Sequence, residues 1–397
     1  MNQLREMIHP GLRGALFYAM YWGVVGMYEP FLTLFFLKQG INANQIGWLA
    51  AILPLCTMVV TPLVSRLADH LHRRVAILAL AGLGFGAALT IPAQPAFQPT
   101  FSALAFFVAL FSVFRSPMIA LGDSLIAQMA VRHALDFGSM RLWGSIVFTF
   151  TAIGLGLVWE RAGFATMFLS AGLGFLLVIT AALLLDEAPR IAHPTEEVKR
   201  TSKGARPSID AGLLFLLGAT FLVVAALFMA GTFGAVYMNQ LGGSQMMVGA
   251  LMGVGAMGEV PGMMYGGRVA RRIGVTNTLL LAYTAIAVGL AVAGLVRQPW
   301  LLLVLAMLRG LGFGLMLVGT VMTINTRAPS GYTSTFQGIL NAACWGLAPL
   351  LGGPISGWIY QAHGPAPLFF TAGVMGLAAC VLIAPTYRLW KGEETAT

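Results

Sequence analysis

Charge is what this sequence has least of. Only 9% of its 397 residues are Asp, Glu, Lys or Arg, 58% are hydrophobic, and the mean hydropathy is +0.82. Soluble domains carry roughly 25% charged residues, so an ordinary soluble protein is excluded and an integral membrane protein is indicated. Cysteine is scarce too. Cys56, Cys344 and Cys380 each fall in an apolar run with no close spacing, which argues against a disulfide or metal framework and for small packing residues. The six histidines, His9, His70, His72, His133, His193 and His363, fall in loops or tails. Neither a histidine metal site nor a histidine proton relay is therefore available in the membrane. No H-E-x-x-H or G-x-S-x-G motif is present, and "GLGFG" has no preceding strand and no P-loop Lys-Ser/Thr. The chain reads as a non-enzyme with no metal and no cofactor.

What the chain has in abundance is long apolar runs. About 20 apolar residues cross a hydrocarbon core of about 30 Å, and the runs and polar breaks predict twelve helices. They fall at 12–38, 44–66, 75–93, 101–131, 139–159, 164–185, 211–241, 244–267, 275–296, 300–326, 333–360 and 365–388. The first run is far longer than a signal-peptide core and has no small-residue cleavage site, so this helix is expected to stay in the protein. The one long polar stretch, "DEAPRIAHPTEEVKRTSKGARPSID", divides the helices six and six. The expected organisation is a bundle over 1–185, a cytoplasmic linker over 186–210 and a second bundle over 211–397.

The net charge of +9 follows this topology. Of 23 Lys and Arg, only Lys38, Arg161 and Arg297 fall outside, and Arg115 and Arg309 lie within spans. The rest share one side, which by the positive-inside rule is the cytoplasm and carries both termini of an inner-membrane protein. The basic excess is thus an orientation signal, and no nucleic-acid partner is expected.

The two halves repeat. Gly40, Ile46 and Gly47 of "QGINANQIG" recur at a constant offset as Gly242, Val248 and Gly249 of "QLGGSQMMVG", and Ser65-Arg66 as Gly267-Arg268. Weak symmetry between six-helix halves is typical of alternating-access carriers that bind solute between the halves. Together with "SRLADHLHRR", a worn form of the G-x-x-x-D-x-x-G-R-R loop signature, this pattern resembles the major facilitator superfamily. Ser65 and His72 replace the two glycines, while Asp69, Arg73 and Arg74 keep the charges. The resemblance implies that this loop latches one cytoplasmic conformation and that the protein is a monomer.

Five ionisable residues, Glu29, Arg115, Asp123, Glu259 and Arg309, lie well within spans. A bare charge at the bilayer centre costs about 2.5–3.5 kcal/mol on the insertion scale, so such residues normally face a cavity or a partner. At about 1.5 Å per residue, Glu29 and Arg309 lie about 14 Å deep and Arg115 about 21 Å; either arginine is within reach of Glu29. Two uses of Glu29 stay open: a permanent ion pair, or a carboxylate that gains and loses a proton while facing a water-filled cavity. Pro30 is expected to remove one backbone hydrogen bond and bend the helix there.

"GDSLIAQMAVRHALDFGSMRLWGSIVF" and "MGEVPGMMYGGRVARRIG" narrow the resemblance to the branch of lactose permease, phenylpropionate permease and nucleoside symporters. That resemblance implies that Asp123 and Arg141 grip the solute, that Phe148 stacks against it and that Glu259 binds it, and Arg309 is a further candidate for solute binding. On the tenth helix, the histidine and proton-handling glutamate of that branch are replaced by Arg309 and Gly312. Coupling would then fall to Glu29, Asp123 or Glu259, within a charge network that includes Arg115 and Arg309. "RGLGFG" and "GGPISG" read as small-residue packing surfaces, and Trp143 and Trp300 as interfacial anchors.

The expectation is a secondary active transporter that moves a small organic solute (sugar, nucleoside or aromatic carboxylate) by alternating access. It is expected to act as a proton symporter, with the proton gradient as energy source and solute, protons and the lipid bilayer as its partners. A proton-coupled drug antiporter of the same fold, or a non-transporting membrane sensor, are the alternatives.

Overall fold

A computed structural model describes residues 7–187, 210–329 and 332–394. Residues 188–209, most of the expected linker, lie outside the described residues, as do the first six and last three. Among the described residues the protein is helical, with no strand.

Eleven helices are long and apolar enough to cross a membrane. One of them, Phe137–Leu183, has 47 residues and breaks at Gly163, where φ is 78° and ψ is 171°. Dividing it there gives the twelve expected crossings. In chain order they are α1 Pro10–Lys38, α2 Ala43–Leu71, α3 Arg74–Ala93, α4 Phe101–Arg132, α5 (137–162) and α6 (164–183). The second half holds α7 Ala211–Gln240, α8 Gln245–Ile273, α9 Val275–Ala293, α10 Pro299–Arg327, α11 Thr333–His363 and α12 Pro365–Ile383. A short helix, α13 (Pro385–Glu394), follows.

The sequence repeat turns out to be a repeat of helix boundaries. Gly40 and Gly242 both take left-handed conformations, with φ of 80° and 82°, at the turns before α2 and α8. Asn42 then caps α2 in a capping box with Gln45, and Ser244 caps α8 through the Met247 amide. Gly163 and Gly364 make matching breaks, between α5 and α6 and between α11 and α12, with φ of 78° and 80°. Each half thus carries the same punctuation because each must reverse the chain at the same depths.

Two expectations need correction. α2 and α8 do not end at the basic turns but continue to Leu71 and Ile273, where the amides of His72 and Gly274 close the last turns on the Ala68 and Ala270 carbonyls. The backbone ladder needs no apolar side chains, so it runs past the hydrocarbon-length stretch until a left-handed or extended residue stops it. Asp69 therefore stands in the last turn of a helix and not in a loop. His72 closes α2 at φ 52°, ψ 37°, the left-handed position that glycine fills at no steric cost in the family signature.

Within the first half, α1 and α3 pack on the α5–α6 pair, and α4 lies against α2 and α3. In the second, α10 packs on α8 and α9, and α7 on α11 and α12. The halves meet through α2 against α11 and α5 against α8. Those crossings are glycine contacts near the ends remote from the termini. Gly47 lies on the backbone of Gly353 and Gly357, Gly249 on the Ala152 carbonyl, and Gly156 on Gln245 and Met246. The Ala43 amide also donates to Gln361 Oε1 across the halves at 2.9 Å. No side chain fits at these positions without parting the helices, so the remote end is shut and the end bearing the termini is open.

Gly249→Leu is expected to force α5 and α8 apart at the remote end. Spin labels at Gln39 and His363, both exposed, should then report a longer distance than in the wild type; an unchanged distance distribution would mean that the glycine contacts do not hold this end shut.

Candidate functional site

The open end leads into a cavity of about 1010 Å³ lined from both halves. Its walls are single faces of long helices. Arg141, Ser145 and Phe148 come from α5, Gly255, Glu259 and Met263 from α8, and Ala306, Arg309, Gly310, Phe313 and Leu317 from α10. Spacings of three and four keep each set on one side of its helix. Trp22 on α1, Leu227 on α7 and Trp345 on α11 complete the enclosure. The glycines of α8 and α10 bring these two walls together: a Cβ on Gly310 would stand 3.1 Å from the Glu259 amide nitrogen. The packing role expected of "RGLGFG" is visible in that contact.

Two edge-to-face aromatic pairs line opposite walls. Trp22 meets Phe148 with ring centroids 6.2 Å apart, and Phe313 meets Trp345 at 5.9 Å. Trp345 lies on a π-helical turn, Ala342–Leu347, which shifts the register of α11 where it reaches the cavity.

Arg141 lies over the rings of Trp22 and Tyr18, 4.8 and 5.2 Å from their centroids. Gly144 provides the room, since a Cβ there would overlap Trp22. Arg141 and Asp123, expected to grip the solute together, form no ion pair with each other. Instead the Tyr18 hydroxyl donates to Asp123 Oδ1 at 2.6 Å while its ring receives the guanidinium. A fully buried tyrosine on α1 thus stands between them.

Glu259 lines the cavity with no hydrogen bond or ion pair among the described residues. Arg309 lines the cavity one helical face away; it too has no ion pair, and its buried Nε lacks any hydrogen-bond partner. A charge within a span normally faces a partner or a cavity, and Arg309 has the cavity.

Glu29 and Arg115 form a separate site. Arg115 Nη2 donates to both Glu29 oxygens at 2.8 and 2.9 Å, and the guanidinium lies 6.0 Å from the Tyr28 ring centroid. Of the two arginines within reach by depth, Arg115 is the one engaged. Glu29 starts the 3-10 turn Glu29–Phe31, the break expected at Pro30, and the Met27 carbonyl beside it accepts the Trp159 indole N–H at 2.8 Å. Glu29 is not among the residues lining this cavity. The local break turns its carboxylate toward α4, where Arg115 holds it.

The signature charges are local as well. Arg74 donates from Nε to Asp69 Oδ1 at 2.7 Å, its backbone amide donates to Glu187 Oε1, and Arg73 is exposed. These contacts join α2, α3 and the segment after α6, all in the first half. Among the described residues, no group of three or more His, Cys, Asp and Glu comes together to hold a metal.

Tyr18, Trp22, Phe313 and Trp345 were not singled out from the sequence. A signal existed for three of them: Tyr18 and Trp22 are one turn apart on the helix of Glu29, and Phe313 is one turn from Arg309. Trp345 had none, because its register depends on the π turn. Trp143 and Trp300 are half exposed, as interfacial anchors would be, at 51% and 55%.

A twelve-crossing helical bundle with a solute-sized cavity between its halves is the architecture of a membrane carrier, and this protein is a transporter of small solutes, not an enzyme. Residues 12–371 match the MFS_1 like family, and the chain belongs to it. It is 25% identical over 385 residues to the maltose permease of Geobacillus stearothermophilus, covering 96% of this chain and 95% of that one. It is 27% identical over 303 residues to the probable 3-phenylpropionic acid transporter of Escherichia coli K12, covering 73% and 76%. The crystal structure of the nucleoside transporter NupG superposes with a TM-score of 0.78 at 16% identity, covering 96% of this chain and 99% of that one, and shows the shared major facilitator fold.

Removing one partner of the Glu29–Arg115 pair leaves a charge unanswered. Arg115→Met should lower unfolding stability in detergent by about 3 kcal/mol, the low end of the range for buried pairs, because Glu29 keeps 31% of its side chain accessible. The Glu29→Gln/Arg115→Met double variant should recover most of that loss; simple additivity would show that the two charges are not coupled.

Proposed function

We propose that this protein carries a small organic solute across the inner membrane by alternating access, as a monomeric proton symporter. Two bodies, residues 1–185 and 211–397, joined by a cytoplasmic linker at 186–210, would rock about the cavity. The basic face that bears the termini is read as cytoplasmic, on the positive-inside rule. On that reading the chain is seen open to the cytoplasm and shut by the glycine crossings on the other side. Solute binds between Arg141, Phe148 and the α8 and α10 walls, with Asp123 positioning Arg141 through Tyr18. The cluster of Asp69, Arg73 and Arg74 would serve as the latch of the opposite state.

The observation that carries the coupling assignment is Glu259. Glu29 is engaged by Arg115 and Asp123 by Tyr18, whereas the Glu259 carboxylate has no partner among the described residues and faces the cavity. A carboxylate in contact with cavity water and without a fixed partner can exchange its proton as the cavity changes sides. The proton gradient then drives net uptake because the loaded cavity turns over only when Glu259 and solute are both satisfied. The names of the relatives supply the solutes to try: maltose, a nucleoside such as uridine, and 3-phenylpropionate.

In proteoliposomes with an inward proton gradient, the wild type should accumulate one of these solutes and Glu259→Gln should not. The variant should still exchange labelled for unlabelled solute, a reaction that needs no net proton movement. Gradient-driven accumulation by Glu259→Gln would move the coupling role to Glu29 or Asp123, and solute efflux driven by proton entry would favour antiport.

A further inference from the structure

Resting on that reading of the cavity, we infer that its solute is a small organic monoanion with an apolar body, whose charged end is bound by Arg309. The charges of the membrane interior divide into groups. Glu29 and Arg115 neutralise each other away from the cavity. Arg141 is answered, through Tyr18, by Asp123. Asp136, at the mouth, is committed to the first turn of α5, where its two carboxylate oxygens accept from the Gly138 and Ser139 amides. Arg309 is left over. It has no ion pair and no hydrogen bond among the described residues, and its buried Nε points at no acceptor.

A guanidinium without a partner on the wall of a solute-sized cavity is a site for an anion, and its planar fork suits a carboxylate bidentately. With Glu259 protonated, as on the symport reading, Arg309 asks for one negative charge, so a dianion has no second partner. Position sets the rest of the ligand. Arg309 lies roughly 27 Å along α10 from its basic end at Arg327, at the deep part of the cavity. Between it and the mouth, the α10 wall continues as Phe313 and Leu317, with Trp345 against Phe313 and Met263 on α8. A ligand entering head first therefore places its anion on Arg309 and a hydrophobic or aromatic body on Phe313 and Trp345. Sugars and nucleosides offer no charge for Arg309.

The test compares carboxylates with their uncharged amides (acetate, benzoate, 3-phenylpropionate and indole-3-acetate), binding to the full chain in nanodiscs by calorimetry. The wild type should bind at least one aryl carboxylate tenfold or more tightly than its amide. Arg309→Gln should bring that ratio close to one, and Arg309→Lys should retain part of it. Glu259→Gln, which removes a negative charge from the same cavity, should tighten carboxylate binding. An amide equal to its carboxylate in the wild type, a preference that survives Arg309→Gln, or no carboxylate bound at all would each overturn the inference. Uptake assays separate the two readings. Transport of maltose or uridine that no carboxylate inhibits leaves the carrier standing and sinks the anion site; Arg309-dependent carboxylate binding without transport of any solute does the reverse.

Discussion

Hydrocarbon does not solvate an ion, so each charge within the spans has to be matched by another charge, a hydrogen bond or water. The interior of this protein is arranged around that demand. Glu29 meets Arg115 in the first half, at a turn where Pro30 has already interrupted the helix. Asp123 takes the Tyr18 hydroxyl, and Arg141 takes the faces of two aromatic rings. Glu259 and Arg309 take no partner, and both lie on the cavity wall. On the reading proposed above, the charges left without a partner are the ones available to a solute and a proton.

The same bundle is tight at one end and open at the other. At the tight end, glycine in place of larger residues lets backbones from opposite halves touch, which gives dispersion contact without locking side chains together. Such an interface can separate at modest cost, since no long side chain has to be withdrawn from a pocket. Toward the open end, larger residues line the cavity instead, such as Met263 on α8, Phe313 on α10 and Trp345 on α11. The proposed alternating access needs both properties, because on that reading the end that is shut must open when the other closes.

Helix number and helix ends were largely readable from the chain, because the length of an apolar run and the chemistry of a cap are local. Gly40 and Gly242 stood out as a repeated pair, and their left-handed backbones explain the repetition. The basic ends of α2 and α8 run past their apolar stretches, since a helix leaving the membrane loses hydropathy without losing its hydrogen bonds. The site was legible only in part. Glu29, Asp123, Glu259 and Arg309 were conspicuous because charge is rare here, whereas Tyr18, Trp22 and Phe313 were hidden among many aromatic residues of similar appearance.

The sequence by itself determined that the chain spans a membrane, how many times, with which side basic, and that its halves are copies. Those properties depend on hydropathy, caps and charge counts, each of which a residue contributes without reference to distant ones. Tertiary structure decided the partners. Depth left two arginines open to Glu29, and only the packing of α4 against the first half selected Arg115. Likewise the separation of Asp123 from Arg141 by Tyr18, and the solitude of Arg309, depend on which helix faces which. Pairing is a matter of a few ångströms and one side-chain direction, and neither is fixed until the helices pack.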